Sequence, residues 1–95
     1  MYAGTFKVSP DQEHHLFYWF IKNTAIPDSS LVIWINGGPG SSSLSGLFYE
    51  NGPLRAKKTG PSNNDFVINI SNSSWVDLAS IVYVDQPVGV GFSYG

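Results

Sequence analysis

Leu31-Val32-Ile33-Trp34-Ile35-Asn36-Gly37-Gly38-Pro39-Gly40-Ser41-Ser42-Ser43 is the stretch from which the architecture can be read. Its first five residues form a continuous apolar run of strand length, the pattern of a strand covered on both faces. The run leads into glycines spaced around a proline, a tight turn that presents bare backbone N–H groups. Leu44 to Tyr49 then carries apolar residues at helical spacing, and Asn51-Gly52-Pro53 stops it. Ile81-Val82-Tyr83-Val84 is a second strand of the buried type, ending at Asp85-Gln86-Pro87. Strand, glycine loop, helix and strand in that order predict an α/β fold.

The flanking segments extend this frame. Tyr2 to Val8 and His14 to Lys22 read as two strands joined by the turn signal Ser9-Pro10-Asp11-Gln12. The second is aromatic-rich (Leu16-Phe17-Tyr18-Trp19-Phe20) and too bulky for an exposed loop. Ala25 to Ser30 reads as a loop, Phe66 to Ile70 as a short strand and Ser74 to Ala79 as a helical turn. There is no internal repeat.

Composition narrows the function classes. The 95 residues are 42% hydrophobic and 13% charged, which argues against disorder. An aromatic fraction of 15% is a large core-forming area for so short a chain and suggests a piece of something larger. Net charge is -2, and only Arg55, Lys57 and Lys58 cluster, so no nucleic-acid footprint is expected. No apolar run reaches membrane-spanning length. The absence of cysteine leaves neither a disulfide framework nor a thiolate metal site within the segment. Met1-Tyr2-Ala3-Gly4 shows no signal-peptide pattern, so a secreted parent is expected to begin upstream.

A glycine loop after a buried strand serves one of two chemistries: cradling phosphate or stabilising the oxyanion of an acyl-transfer intermediate. Ser41 stands where a Walker loop needs Lys, and Pro39 removes a donor that a dinucleotide loop would use. Acyl-transfer loops of the HGGG type occupy the equivalent place in α/β-hydrolases. A plain strand-to-helix turn is the bland alternative.

Three long segments then decide between these readings. Trp34-Ile35-Asn36-Gly37-Gly38-Pro39-Gly40-Ser41-Ser42-Ser43 resembles the WxNGGPGCSS signature of the serine carboxypeptidase family. Gly46-Leu47-Phe48-Tyr49-Glu50-Asn51-Gly52-Pro53 resembles its GLF-x-E-x-GP segment, and Asp85-Gln86-Pro87-Val88-Gly89-Val90-Gly91-Phe92-Ser93-Tyr94 its D-x-P-x-G-x-GFSY stretch. The resemblance implies the amino-terminal portion of an α/β-hydrolase fold over residues 1–95, with an incomplete sheet and an end before the nucleophile. It implies a serine-type peptidase acting on peptides or proteins with a free C-terminus, without cofactor or metal. The other expected partner is the remainder of its own catalytic domain, in a vacuolar, lysosomal or secreted setting. A carboxypeptidase-like acyltransferase and a non-catalytic peptide-binding or protective homologue are the rival functions.

By the same resemblance the N–H of Gly38 is one oxyanion donor, and Asn36, the N–H of Gly37, and Glu50 read the substrate's C-terminal carboxylate. Asn36 can donate from its amide, whereas Glu50 can donate only when protonated. The helix end at Glu50 is a place where the macrodipole disfavours negative charge. Without the resemblance, Glu50 is an ordinary solvated carboxylate and Asn36 an ordinary turn residue. Ser45 and Tyr49, one helical turn apart, are expected to line the adjoining leaving-residue pocket, although Tyr49 suits core packing equally well. Ser41 replaces the family's usual cysteine, which places that disulfide in doubt.

Other features invite different readings. Gly91-Phe92-Ser93-Tyr94-Gly95 satisfies G-x-S-x-G literally, but a nucleophile elbow needs a strand running directly into the serine. Here Pro87 and a glycine-rich stretch intervene. His14 and His15 are adjacent, so strand geometry sends them to opposite faces and away from a shared ion. Asp85 is expected to be structural. Asn69-Ile70-Ser71 and Asn72-Ser73-Ser74 are glycosylation sequons, meaningful only in a secreted parent.

The isolated 95-residue chain is therefore expected to hydrolyse neither a chromogenic ester nor a blocked dipeptide. Labelling of Ser93 by a serine-specific reagent would overturn that reading.

Overall fold

The computed structural model describes residues 1–95. Tyr2–Lys7 (β1) and His15–Ile21 (β2) form the expected antiparallel hairpin, with Tyr2 opposite Phe20 and Lys7 opposite His15. Leu31–Trp34 (β3) follows the loop, then Leu44–Gly46 (α1), which continues into a wider π-helical turn over Leu47–Asn51. Leu54–Lys58 (β4) and Phe66–Ile70 (β5) make a second, two-stranded antiparallel sheet. A short 3-10 turn at Trp75–Asp77 leads into Ser80–Val84 (β6).

The main sheet runs β1-β2-β6-β3. β6 lies antiparallel to β2 and parallel to β3, with Ile81 beside Ile21 and Val32, and Tyr83 beside Trp19 and Trp34. Alternation therefore puts Trp19, Ile21, Val32, Trp34, Ile81 and Tyr83 on one face. The helical segment covers that face: Leu47 is fully buried against Ile21, Ile81 and Tyr83, with Leu44, Phe48 and Leu54 packed around them. Phe48 meets Trp19 edge-on at 5.8 Å between ring centroids, and Trp34 meets Trp75 edge-on at 5.4 Å.

The opposite face differs from the sequence expectation. Leu31, Ile33 and Ile35 are 60%, 63% and 50% exposed, so β3 is covered on one side only. β3 is an edge strand, and nothing within residues 1–95 packs on its second face or pairs with its free edge. Strand β4 is the element the sequence reading lacked. Leu54-Arg55-Ala56-Lys57-Lys58 has no β-branched or aromatic residue and three cations in five, and its pairing with Phe66–Ile70 makes it a strand.

The molecule is a slab of 43 × 42 × 21 Å with a radius of gyration of 14.5 Å, against about 12.4 Å for a compact chain of this length. Fifteen of the 95 residues are buried, six of them apolar. So small a buried apolar core offsets little of the conformational entropy lost on ordering the chain. Expressed alone, residues 1–95 should bind a hydrophobic dye and melt without a cooperative transition. A sharp calorimetric peak with protected amides in β3 and β6 would contradict this.

Candidate active site

β3 and β6 are parallel, so both finish at the same end of the sheet, the end at which α/β folds bind ligands. Asn36 and Glu50 meet there. Asn36 Nδ2 donates to Glu50 Oε1 at 2.9 Å, while Asn36 Oδ1 accepts from the indole Nε1 of Trp34 at 2.6 Å. An indole can only donate, so Trp34 must face the amide oxygen and the amide nitrogen must face Glu50. Trp34 thus fixes which way Asn36 points, a role the sequence reading did not assign. Indole and amide sit two residues apart at the end of one strand, on the same face, and that period-2 spacing was the available signal.

Asn36 keeps one amide hydrogen without a protein acceptor, and Glu50 Oε2 makes no hydrogen bond in the chain. The N–H groups of Gly37, Gly38 and Gly40 likewise donate to no protein acceptor; the only backbone bond within this turn runs from Ser41 N–H to Gly37 O, at 3.4 Å. Gly38 has φ 132°, a conformation that side-chain-bearing residues rarely adopt. The loop therefore presents several unpaired donors to solvent beside an amide and a carboxylate. Gly46 makes this approach possible: a Cβ there would collide with Trp34 Nε1 and lie 2.7 Å from Asn36 Oδ1.

The helix end at Glu50 carries a cation that the sequence reading had not placed there. Arg55 Nη1 donates to the carbonyls of Gly52 (2.5 Å), Leu54 (3.1 Å) and Leu47 (3.4 Å), and Nη2 to that of Glu50 (2.8 Å). The guanidinium satisfies the last turn's free carbonyls and offsets their partial negative charge. The helix dipole alone is thus an incomplete account of the charge around Glu50. Beneath the turn, the Tyr83 hydroxyl donates to Asn51 Oδ1 at 2.9 Å. Burial pushes the Tyr83 phenol up to about 12, partly offset by the Arg55 charge, so it remains a donor through the neutral range.

Tyr49 is exposed and Ser45 half-buried, and neither side chain makes a hydrogen bond. They precede Glu50 and Gly46 in the chain, respectively, and no hydrogen bond ties them together as a pocket. His14 Nδ1 lies 3.4 Å from Ser9 Oγ, whereas His15 Nε2 lies 3.0 Å from Glu13 and its ring stacks on Tyr94, so the two have separate partners. Hydrogen bonds from His15 first, and then Lys7, hold the exposed Glu13 carboxyl below its usual range. Ser93 is buried: its Oγ accepts from Phe17 N–H at 2.8 Å and donates to Asp85 O at 2.6 Å, which leaves no free nucleophile.

The sequence model of the serine carboxypeptidase family matches residues 1–95. The chain belongs to the serine carboxypeptidase family. It is 46% identical over 93 residues to serine carboxypeptidase-like 15 of Arabidopsis thaliana, covering 97% of this chain and 21% of that protein. It is 43% identical over 98 residues to the pheromone-processing carboxypeptidase KEX1 of Paracoccidioides brasiliensis, covering 100% of this chain and 14% of that one. A solved structure of a prohormone-processing carboxypeptidase, Kex1(Δ)p of Saccharomyces cerevisiae, superposes with a TM-score of 0.79 at 32% identity. That match covers 97% of this chain and 20% of the yeast chain, and is consistent with an α/β unit carrying part of a sheet. The chain thus spans about a fifth or less of the length of these serine carboxypeptidase relatives.

Gly46→Ala should break the Trp34–Asn36 hydrogen bond, whereas Gly37→Ala, with nothing within 4 Å of the added carbon, should leave it intact. In 1H–15N spectra of the intact protein, the Trp34 indole N–H should lose exchange protection in Gly46→Ala alone. Equal protection in both variants would show that Gly46 does not set this contact.

Proposed function

We propose that the intact protein is a serine-type carboxypeptidase of the α/β-hydrolase kind, and that this segment reads the substrate's C-terminal carboxylate and supplies part of the oxyanion hole. The Trp34–Asn36–Glu50 hydrogen-bond chain carries this reading, because it holds together an amide with a free hydrogen, directly before the glycine turn in the chain, and a carboxyl with a free oxygen. A carboxylate arriving there meets donors from Asn36 and Gly37 and shares a proton with Glu50. The N–H of Gly38, one residue further on, would face the oxygen of the scissile carbonyl as it becomes negative.

Asn36 and Glu50 favour a peptidase over an acyltransferase, which has no need to read a free carboxylate; a non-catalytic peptide binder would read one too and is told apart by residues outside 1–95. The nucleophile, acid and histidine of such an enzyme would come from outside residues 1–95, and the acyl-enzyme would form on that serine. The natural substrate is a peptide or protein with a free C-terminus, and the fitting setting is an acidic vacuolar, lysosomal or secretory one.

Two carboxyl groups at hydrogen-bond distance hold one proton between them, because the alternative is like-charge repulsion. Binding therefore takes up a proton and weakens as pH rises, by up to about tenfold per pH unit. In the intact protein, KM for a peptide should climb with pH while KM for its C-terminal amide stays nearly flat. Glu50→Gln keeps a donor without the titration and should flatten the peptide's profile. Identical profiles for both substrates and both proteins would show that Glu50 does not read the carboxylate. Acyl transfer without hydrolysis, or peptide binding without turnover, would select one of the rivals.

A further inference from the structure

Asp85, at the C-terminal end of β6, is 1% exposed and has no ion-pair partner. Its two carboxyl oxygens nevertheless accept three hydrogen bonds. Oδ1 takes Ser42 Oγ at 2.6 Å and Ser43 N–H at 2.8 Å, and Oδ2 takes Phe92 N–H at 3.0 Å. Ser43 extends the chain of bonds, because its Oγ donates to Val84 O and accepts from Asn36 N–H at 3.0 Å. The glycine turn is therefore gripped on both flanks, at Asn36 and at Ser42–Ser43, by groups anchored on β6. Between those grips, the N–H groups of Gly37 and Gly38 have no protein acceptor to hold them.

We propose that Asp85 is a positioning residue for the oxyanion loop, holding the unpaired Gly37 and Gly38 donors in register with the ends of β3 and β6. This rests on the reading of that loop given under Proposed function. A carboxylate buried only to stabilise the core would contact core side chains or a cation. This one bonds solely to two loops, the one following β3 and the one following β6. Its seat is tight as well: Gly91, at φ 56°, packs so closely that a Cβ there would overlap Asp85 Oδ2. An amide cannot replace it, since three donors need acceptors and an asparagine would turn its own N–H2 toward at least one of them. A developing oxyanion is sensitive to such displacement, because about 1 Å of misplacement can cost on the order of 10²-fold in rate.

The test uses the intact protein, with a peptide substrate and an ester that lacks a free carboxylate. Asp85→Asn should lower kcat about 10²-fold on both substrates with little change in KM, and the Ser43 amide should lose hydrogen-exchange protection. Ser42→Ala, which removes one donor and leaves the carboxylate in place, should lower kcat severalfold and keeps the idea testable should Asp85→Asn not fold. Ser93→Ala is the control: Ser93 is buried in the same layer but bonds Phe17 N–H and Asp85 O, not the glycine turn. It should lower the melting temperature and leave kcat unchanged. Unaltered kcat in both Asp85→Asn and Ser42→Ala, or an equal loss in Ser93→Ala, overturns the role of Asp85. A wild type inert on both substrates instead overturns the functional reading, and the positioning role with it, whatever exchange at Ser43 shows.

Discussion

Parallel pairing of β3 with β6 is the constraint on which the rest of the site depends. Two strands that run in the same direction end on the same side of a sheet, so the segments that follow them must share that side. Here Asn36-Gly37-Gly38 leaves β3 and Asp85 leaves β6, and the two are joined through Ser42 and Ser43. Antiparallel pairing would put those loops at opposite ends of the sheet, about one strand length apart. The register also places Trp34 beside Tyr83 and over the helical segment, where its indole can reach Asn36.

The helical segment then works on two sides. Its inward residues, Leu47 above all, seal the face of the sheet formed by Ile21, Ile81 and Tyr83. Its far end delivers Glu50 to Asn36, fourteen residues away in the chain. The change from α to π winding at Leu47 adds a residue to that last turn. Arg55 closes the same turn from strand β4, so the small second sheet also serves the site by capping the element that carries Glu50. Gly46 is the point at which helix and strand come closest.

Polar groups in this region are held mostly by one another. Asp85, Ser43, Ser93 and Asn51 are all buried, and their partners are backbone groups or other polar side chains. Buried polar networks impose geometry because each member is costly to leave unpaired. At the glycine turn the N–H groups of Gly37, Gly38 and Gly40 have no protein acceptor and lie at the surface, while among buried side-chain polar atoms Asn51 Nδ2 alone lacks a partner.

Much of this was legible in the residues themselves. The hairpin, the two apolar strands, the glycine turn and the helix after it follow from local periodicity and turn chemistry, which act over a few residues. The motifs around Asn36, Glu50 and Asp85 carried the family, and chain geometry together with that family match argued against the literal elbow at Ser93. Strand β4 was invisible because Arg55, Lys57 and Lys58 have no strand preference of their own and depend on a partner ten or so residues away. The sheet order, the open face of β3 and the Arg55 cap were decided only by the tertiary structure. Each depends on which groups lie across a strand pair or a helix end, and local sequence pattern does not encode that relation.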